Sequence, residues 1–232
     1  MSALFEEIDY RETPLGAISL RRRRLLSLDR DVFEVMLGDE HLMSSLFTAG
    51  EIALAELGLA ATDAPVLDVI VGGLGLGYTA AAALADPRTR SLVVIDAMQA
   101  VIDWHQQGLV PLGASLAADP RVQLVHGDFF AQMRAPGPKV QAVLLDIDHS
   151  PRAVLNSGNA AFYTAEGLGG VTRRLVPGGV FALWSDAGPD AEFEALMAEV
   201  FDACAARVVG FDNPLTGGRS SNTVYVGRAR PG

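Results

Sequence analysis

The chain is poor in the residues that mark several function classes. Its 232 positions hold one cysteine, Cys204, and one lysine, Lys139; the other 17 cationic side chains are arginine. A single cysteine excludes an internal disulfide and a thiolate zinc cage. Basic charge is scarce, with 18 Lys and Arg against 28 Asp and Glu for a net charge of −10. A nucleic-acid binder needs a basic surface, so no nucleic-acid partner is expected. No apolar run approaches the ~20 residues of a membrane span. The first ten residues carry Glu6, Glu7 and Asp9 rather than the basic start and apolar core of a secretion signal. The expectation is a cytoplasmic protein without a membrane partner. Internal repeats and low-complexity linkers are also lacking. What is plentiful is apolar character, at 50% of residues. That is enough for a sizeable core in one large domain, or one domain with a small appendage.

Two textures divide the chain. Residues 1–46 are charged and arginine-rich, with alternating segments at 16–20 and 32–37 and a turn at Gly38-Asp39. Period-two patterning around such turns predicts a small antiparallel β unit. The run Arg21-Arg22-Arg23-Arg24 reads as a solvated edge strand, since a phosphate site would bring a Gly-rich turn or helix start with it. Residues 47–232 form the second predicted domain. A helix is predicted over 48–59, with Thr48 as N-cap and Glu51 completing a capping box. Short Val/Ile/Leu-rich strands at 66–71, 91–95, 122–125, 140–145 and 179–184 then alternate with helices at 79–85, 99–107, 129–133 and 160–175. Buried strands joined by crossover helices predict a parallel sheet covered on both faces. A further helix at 190–205 precedes an antiparallel pair at 206–211 and 222–226, joined by a loop at 213–221.

The first buried strand runs into Gly72-Gly73-Leu74-Gly75-Leu76-Gly77. Strand, glycine turn and helix start in that order cradle a nucleotide, because glycines admit close backbone approach and the helix start offers free N–H groups. The G-x-G-x-G spacing of Gly73, Gly75 and Gly77 departs from the dinucleotide pattern, and no G-K-[ST] follows. Asp96, at the end of the next strand, is placed to take both hydroxyls of a ribose. Gly127-Asp128 ends the third strand, where a carboxylate accepts from an adenine amino group. The fourth strand ends in Asp146-Ile147-Asp148-His149-Ser150-Pro151.

These motifs together resemble the spermidine synthase family. The likeness runs through the glycine turn, the segment Asp96-Ala97-Met98-Gln99-Ala100-Val101-Ile102-Asp103, Gly127-Asp128, the Asp146 loop, Phe162-Tyr163 and Leu175-Val176-Pro177-Gly178-Gly179. The resemblance implies an α/β, Rossmann-like class I methyltransferase fold. Its sheet would have seven strands, mostly parallel with the last antiparallel, beside the N-terminal β unit. It also implies a transferase that moves an aminopropyl group from decarboxylated S-adenosylmethionine to a small-molecule amine, without a metal and as a homodimer. Asp146 would be the catalytic aspartate, with Asp148 or His149 gripping the acceptor; the loop is one residue longer than the family's, so both stay open. Gly72, Gly73, Gly75, Gly77, Asp96, Ala97, Gly127, Asp128 and Asp146 would bind the donor.

Three departures bear on the donor and acceptor. Gly75 stands where the family carries the aspartate that selects the decarboxylated donor. The family's donor-contacting glutamine falls near Met43, and its Tyr-His pair near Ala49-Gly50, ahead of Glu51. A methyltransferase using S-adenosylmethionine is therefore the second expectation, and a non-enzymatic nucleoside-binding protein the third. Elsewhere, Cys204 reads as a buried helix residue. Trp104 and Trp184 read as core or pocket wall, with Trp104 a candidate for adenine-side packing.

Overall fold

A computed structural model describes residues 4–230; the ends of the two predicted domains, 1–3 and 231–232, lie outside the described residues. The chain opens with four strands, β1 (Phe5–Thr13), β2 (Gly16–Leu25), β3 (Arg30–Leu37) and β4 (Glu40–Ser44), paired antiparallel in sequence order. The strand β1 had no counterpart in the sequence reading. Its presence puts β2 inside the sheet and overturns the edge-strand expectation for the arginine run. An interior strand tolerates four arginines because its neighbours bring acids. Arg21 faces Glu7, Arg22 lies 2.7 Å from Glu6, Arg23 lies 2.5 Å from Glu34, and Arg24 pairs with Asp29 and Asp31.

Helix α1 (Ala49–Ala60) leads into the second sheet. Its strands are β5 (Leu67–Gly72), β6 (Thr89–Asp96), β7 (Val122–His126), β8 (Val140–Leu145), β9 (Leu175–Ser185), β10 (Ala203–Asn213) and β11 (Gly218–Arg228). The spatial order is β10-β11-β9-β8-β5-β6-β7, and β11 alone runs antiparallel to its neighbours. The expected seven-stranded sheet with an antiparallel last strand is therefore present. The crossovers are α2 (Tyr78–Ala85), α3 (Gln99–Gln106), α4 (Gly113–Ala118), α5 (Phe129–Arg134), α6 (Ala165–Arg174) and α7 (Ala191–Val200).

Alternation along each central strand explains why both faces are covered. Val69, Val71, Leu144 and Ala182 pack on one face with Leu54, Ala83 and Trp104. Ile70, Val143, Leu145 and Phe181 pack on the other with Phe129, Phe162 and Phe193. Burying such side chains contributes about 1.5–3 kcal/mol each. Ile18, Leu20 and Val35 of the N-terminal sheet join the first cluster, so the small sheet shares a core with the large one.

The structure corrects three local expectations and bears out the core reading of Trp104. Thr48 occupies the N-cap position of α1 but makes no side-chain capping bond, and Glu51 turns away from it. The helix predicted over 160–175 is a short 3₁₀ turn (Ser157–Phe162) followed by α6, because the Thr164 hydroxyl caps a new start at the Gly167 N–H, 3.2 Å away. The helix predicted over 190–205 stops at Val200, and Cys204 is half-buried on β10 instead. Trp104 is fully buried, and its indole N–H donates to Asp9 at 2.6 Å rather than facing a ligand.

Candidate active site at the carboxyl edge of the sheet

The strand order reverses direction beside β5, and open α/β sheets bind ligands at the carboxyl ends of strands at such a point. A cavity of about 630 Å³ opens there. It is lined by the glycine turn after β5, by Asp96 to Met98 after β6, by His126 to Phe130 after β7 and by Asp146 after β8. The N-terminal sheet roofs it with residues that include Leu15, Leu37 and Met43.

The glycine turn is held from both sides. Gly73 adopts φ +91°, and a Cβ there would overlap the Asp146 carbonyl, so only glycine fits. Gly75, at φ +47°, lies under Met43, whose sulfur occupies the space a Cβ would need. The same sulfur accepts the Leu76 N–H at 2.9 Å. The Gly75 carbonyl accepts from His105 Nε2 at 3.0 Å, which requires the proton on that nitrogen. Burial lowers the His105 pKa and favours this neutral form.

Asp96 accepts the Leu74 N–H at 2.9 Å on one oxygen and the Met98 N–H at 2.8 Å on the other. The Gly75 N–H also bonds this carboxylate, which leaves part of its accepting capacity for a ligand hydroxyl. Burial raises the Asp96 pKa, opposed by these backbone bonds. Asp128 caps α5 by accepting the Ala131 N–H at 3.1 Å, yet its exposed side chain also faces the cavity. Asp146 accepts from the Thr79 hydroxyl at 2.6 Å. Burial pushes its pKa up to about 6, opposed by that bond.

Of the residues named from the sequence, Gly73, Gly75, Asp96, Ala97, Gly127, Asp128, Asp146 and His149 line the cavity. Gly72 and Gly77 do not: Gly72 passes over the Phe129 ring, and Gly77 packs against His105 and Leu116. Asp148 is also kept out. Its carboxylate is 1% exposed and accepts from the Leu155 N–H at 2.7 Å, Asn159 Nδ2 at 2.9 Å and the Tyr163 hydroxyl at 2.7 Å. His149 turns the other way, with Nε2 2.9 Å from Glu40 and Nδ1 3.7 Å from Asp186.

A second cavity of about 260 Å³ adjoins the first and shares Leu42, Met43, Glu51, His149 and Trp184 with it. Phe47, Asp186, Phe211, Asn213, Ser220 and Asn222 extend it toward solvent. Sequence reasoning passed over Thr79 and His105, and saw Glu51 as a helix-start residue that falls after the position of the family's Tyr-His pair. A threonine or glutamate in the first turn of a helix looks like a cap in one dimension; only the packing of α1 and α2 beside β8 turns these two toward Asp146.

No protein-family model matches the chain. Solved structures do share its fold. The spermidine synthase from Thermotoga maritima superposes with a TM-score of 0.74 at 14% identity, covering 97% of this chain and 73% of that one. A spermidine synthase in complex with the transition state analogue AdoDATO gives 0.75 at 14% identity with the same coverage. A probable spermidine synthase from Corynebacterium glutamicum ATCC 13032 gives 0.66 at 20% identity, covering 95% of this chain and 79% of that one. At such identities the likeness establishes the fold, in agreement with the resemblance carried by the motifs.

Proposed function

We propose, from this shared fold, that the chain is a sulfonium-dependent transferase that moves an aminopropyl group from decarboxylated S-adenosylmethionine to a small amine. The observation that carries this reading is Asp146, which meets the cavity beside the glycine turn and close to the opening of the second cavity. A sulfonium donor already has a good leaving group. The protein's task is to hold the amine in line with the electrophilic carbon and to manage its proton. Asp146 orients the amine. The free lone pairs of Asp96 take the ribose hydroxyls, and Asp128 with Gly127 meets the adenine edge. Asp148 braces the loop from behind, and His149 stands at the doorway between the cavities.

Incubation with decarboxylated S-adenosylmethionine and a panel of di- and polyamines tests the reading. Methylthioadenosine should accumulate with at least one acceptor, and Asp146→Asn should slow its release about 10²–10⁴-fold. No methylthioadenosine with any amine sinks the proposal.

A second reading, methyl transfer from S-adenosylmethionine, is favoured by one observation. At position 75 itself, a glycine under the uncharged Met43 sulfur puts no carboxylate where one would repel a carboxylated donor. Calorimetry with both donors separates the two. Tighter binding of the carboxylated donor supports methyl transfer, and tighter binding of the decarboxylated one supports aminopropyl transfer.

A further inference from the structure

Of the acidic residues that line the two cavities, Glu51 is the least exposed, at 8%. Among the described residues its side chain has no ion pair, and its hydrogen-bonding neighbour is its own backbone N–H. The Thr79 hydroxyl reaches the Glu51 carbonyl at 3.3 Å, not the carboxyl group. Glu51 lines both cavities, so it stands where they meet.

The groups around it offer no compensating charge. Asp146 approaches from the end of β8, and its charge opposes ionisation of Glu51. Tyr78 lies on the α2 side, with Arg30 beyond it. His41, His149 and Asp186 face the second cavity from β4 and from the loops after β8 and β9. His149 is already engaged by Glu40 and Asp186. No Arg or Lys is among the residues lining either cavity. A buried carboxylate without a partner costs several kcal/mol, so this one is completed by a proton or by a cation that a ligand brings.

We propose that Glu51 and Asp146 together hold the ammonium end of the acceptor where the two cavities meet, and that Glu51 takes the proton the amine loses before attack. The inference rests on the transferase reading above for its chemical step. The N–H bond breaks toward the Glu51 carboxylate, giving a carboxylic acid and a free lone pair on nitrogen. That lone pair forms the C–N bond as the C–S bond breaks. The bonding pair goes to sulfur, which leaves as a neutral thioether, and the new secondary ammonium keeps its proton and leaves as a cation. Burial first, and then the Asp146 charge, push the Glu51 pKa up to about 8, which makes its carboxylate a stronger base than free glutamate. In the ligand-free protein at pH 7 that group holds a proton, which an arriving ammonium must displace.

The test titrates 1,4-diaminobutane into protein saturated with methylthioadenosine, at pH 7, in buffers of different ionisation enthalpy. The wild type should release close to one proton per amine bound, and Glu51→Gln should release almost none. Under turnover, Glu51→Gln should lower kcat about 100-fold or more, shift the acid limb of the kcat pH profile, and leave methylthioadenosine affinity within twofold. If Glu51→Gln loses methylthioadenosine binding, Glu51→Asp carries the same comparison, with partial proton release expected. Equal proton release by wild type and variant, an unchanged kcat profile, or no amine binding by the wild type overturns the inference. Proton-coupled amine binding that Glu51→Gln abolishes, with no turnover in any donor–acceptor pair, leaves the ammonium site standing while the transfer reading falls.

Discussion

Asp148 receives hydrogen bonds from Leu155, Asn159 and Tyr163, whereas Asp146, two residues earlier, receives one from Thr79 and otherwise meets the cavity. The same functional group braces the loop at one position and faces solvent space at the other. Asp148→Ala strands three part-buried donors, of which an unsatisfied buried one costs about 1–3 kcal/mol. Chemical denaturation should show a loss of about 2 kcal/mol, with Asp148→Asn losing less than half of that. A loss below about 1 kcal/mol for the alanine variant would remove the bracing role. The motif reading saw the carboxylates along this edge of the sheet, since a short apolar strand ending in Asp is a one-dimensional signal. It left Asp148 and His149 open because their difference is one of direction. Asp148 turns back toward Tyr163 and His149 out toward Glu40. Glu51 was named after the family's Tyr-His position but given no role of its own, since its spacing from Thr48 matches a capping box, which the structure does not make.

Among the elements, the five central strands were legible because each is a short apolar run bounded by Gly, Asp or Pro. Strand β10 was not. Its first residues, Ala203-Cys204-Ala205-Ala206, are good helix formers, and pairing with β11 from Ala203↔Arg228 onward overrides that preference. Strand β2 was misplaced at an edge because four consecutive arginines look solvated until their partners on β1 and β3 are known. Arg23 meets Glu34 through two bonds, at 2.5 and 3.3 Å, diagonally across the β2–β3 pair, where Arg21 stands directly opposite Glu34. Arg23→Glu sets like charges within reach of each other and should destabilise the protein by about 1 kcal/mol. The exchange Arg23→Glu with Glu34→Arg should recover part of that, since Arg21 faces position 34, and added salt should shrink the difference. No recovery in the exchanged pair would mean that this contact contributes nothing beyond side-chain packing.

For the whole molecule, the −10 charge tells less than where two of its acids lie. Glu51 and Asp146 both have pKa values raised above the ordinary carboxyl range. A group with a raised folded-state pKa contributes stability that is present below its unfolded pKa and lost as pH rises through the folded one. The ligand-free protein should therefore lose stability between about pH 4.5 and pH 8. Glu51→Gln removes the larger part of that loss. Its stability advantage over the wild type should grow by a few kcal/mol from pH 5 to pH 9, measured by denaturant unfolding. Parallel pH curves for the two proteins would contradict this. The cavity has a further property as an assembly of two sheets. Its floor, from the glycine turn to Asp146, belongs to the large sheet, while its roof, including the Met43 sulfur, belongs to the first four strands. The two halves meet across the short connection between β4 and α1. A single recombination event at that joint would graft a different roof onto an unchanged floor. The residue that sits over the glycine turn thus belongs to a different sheet from the turn beneath it.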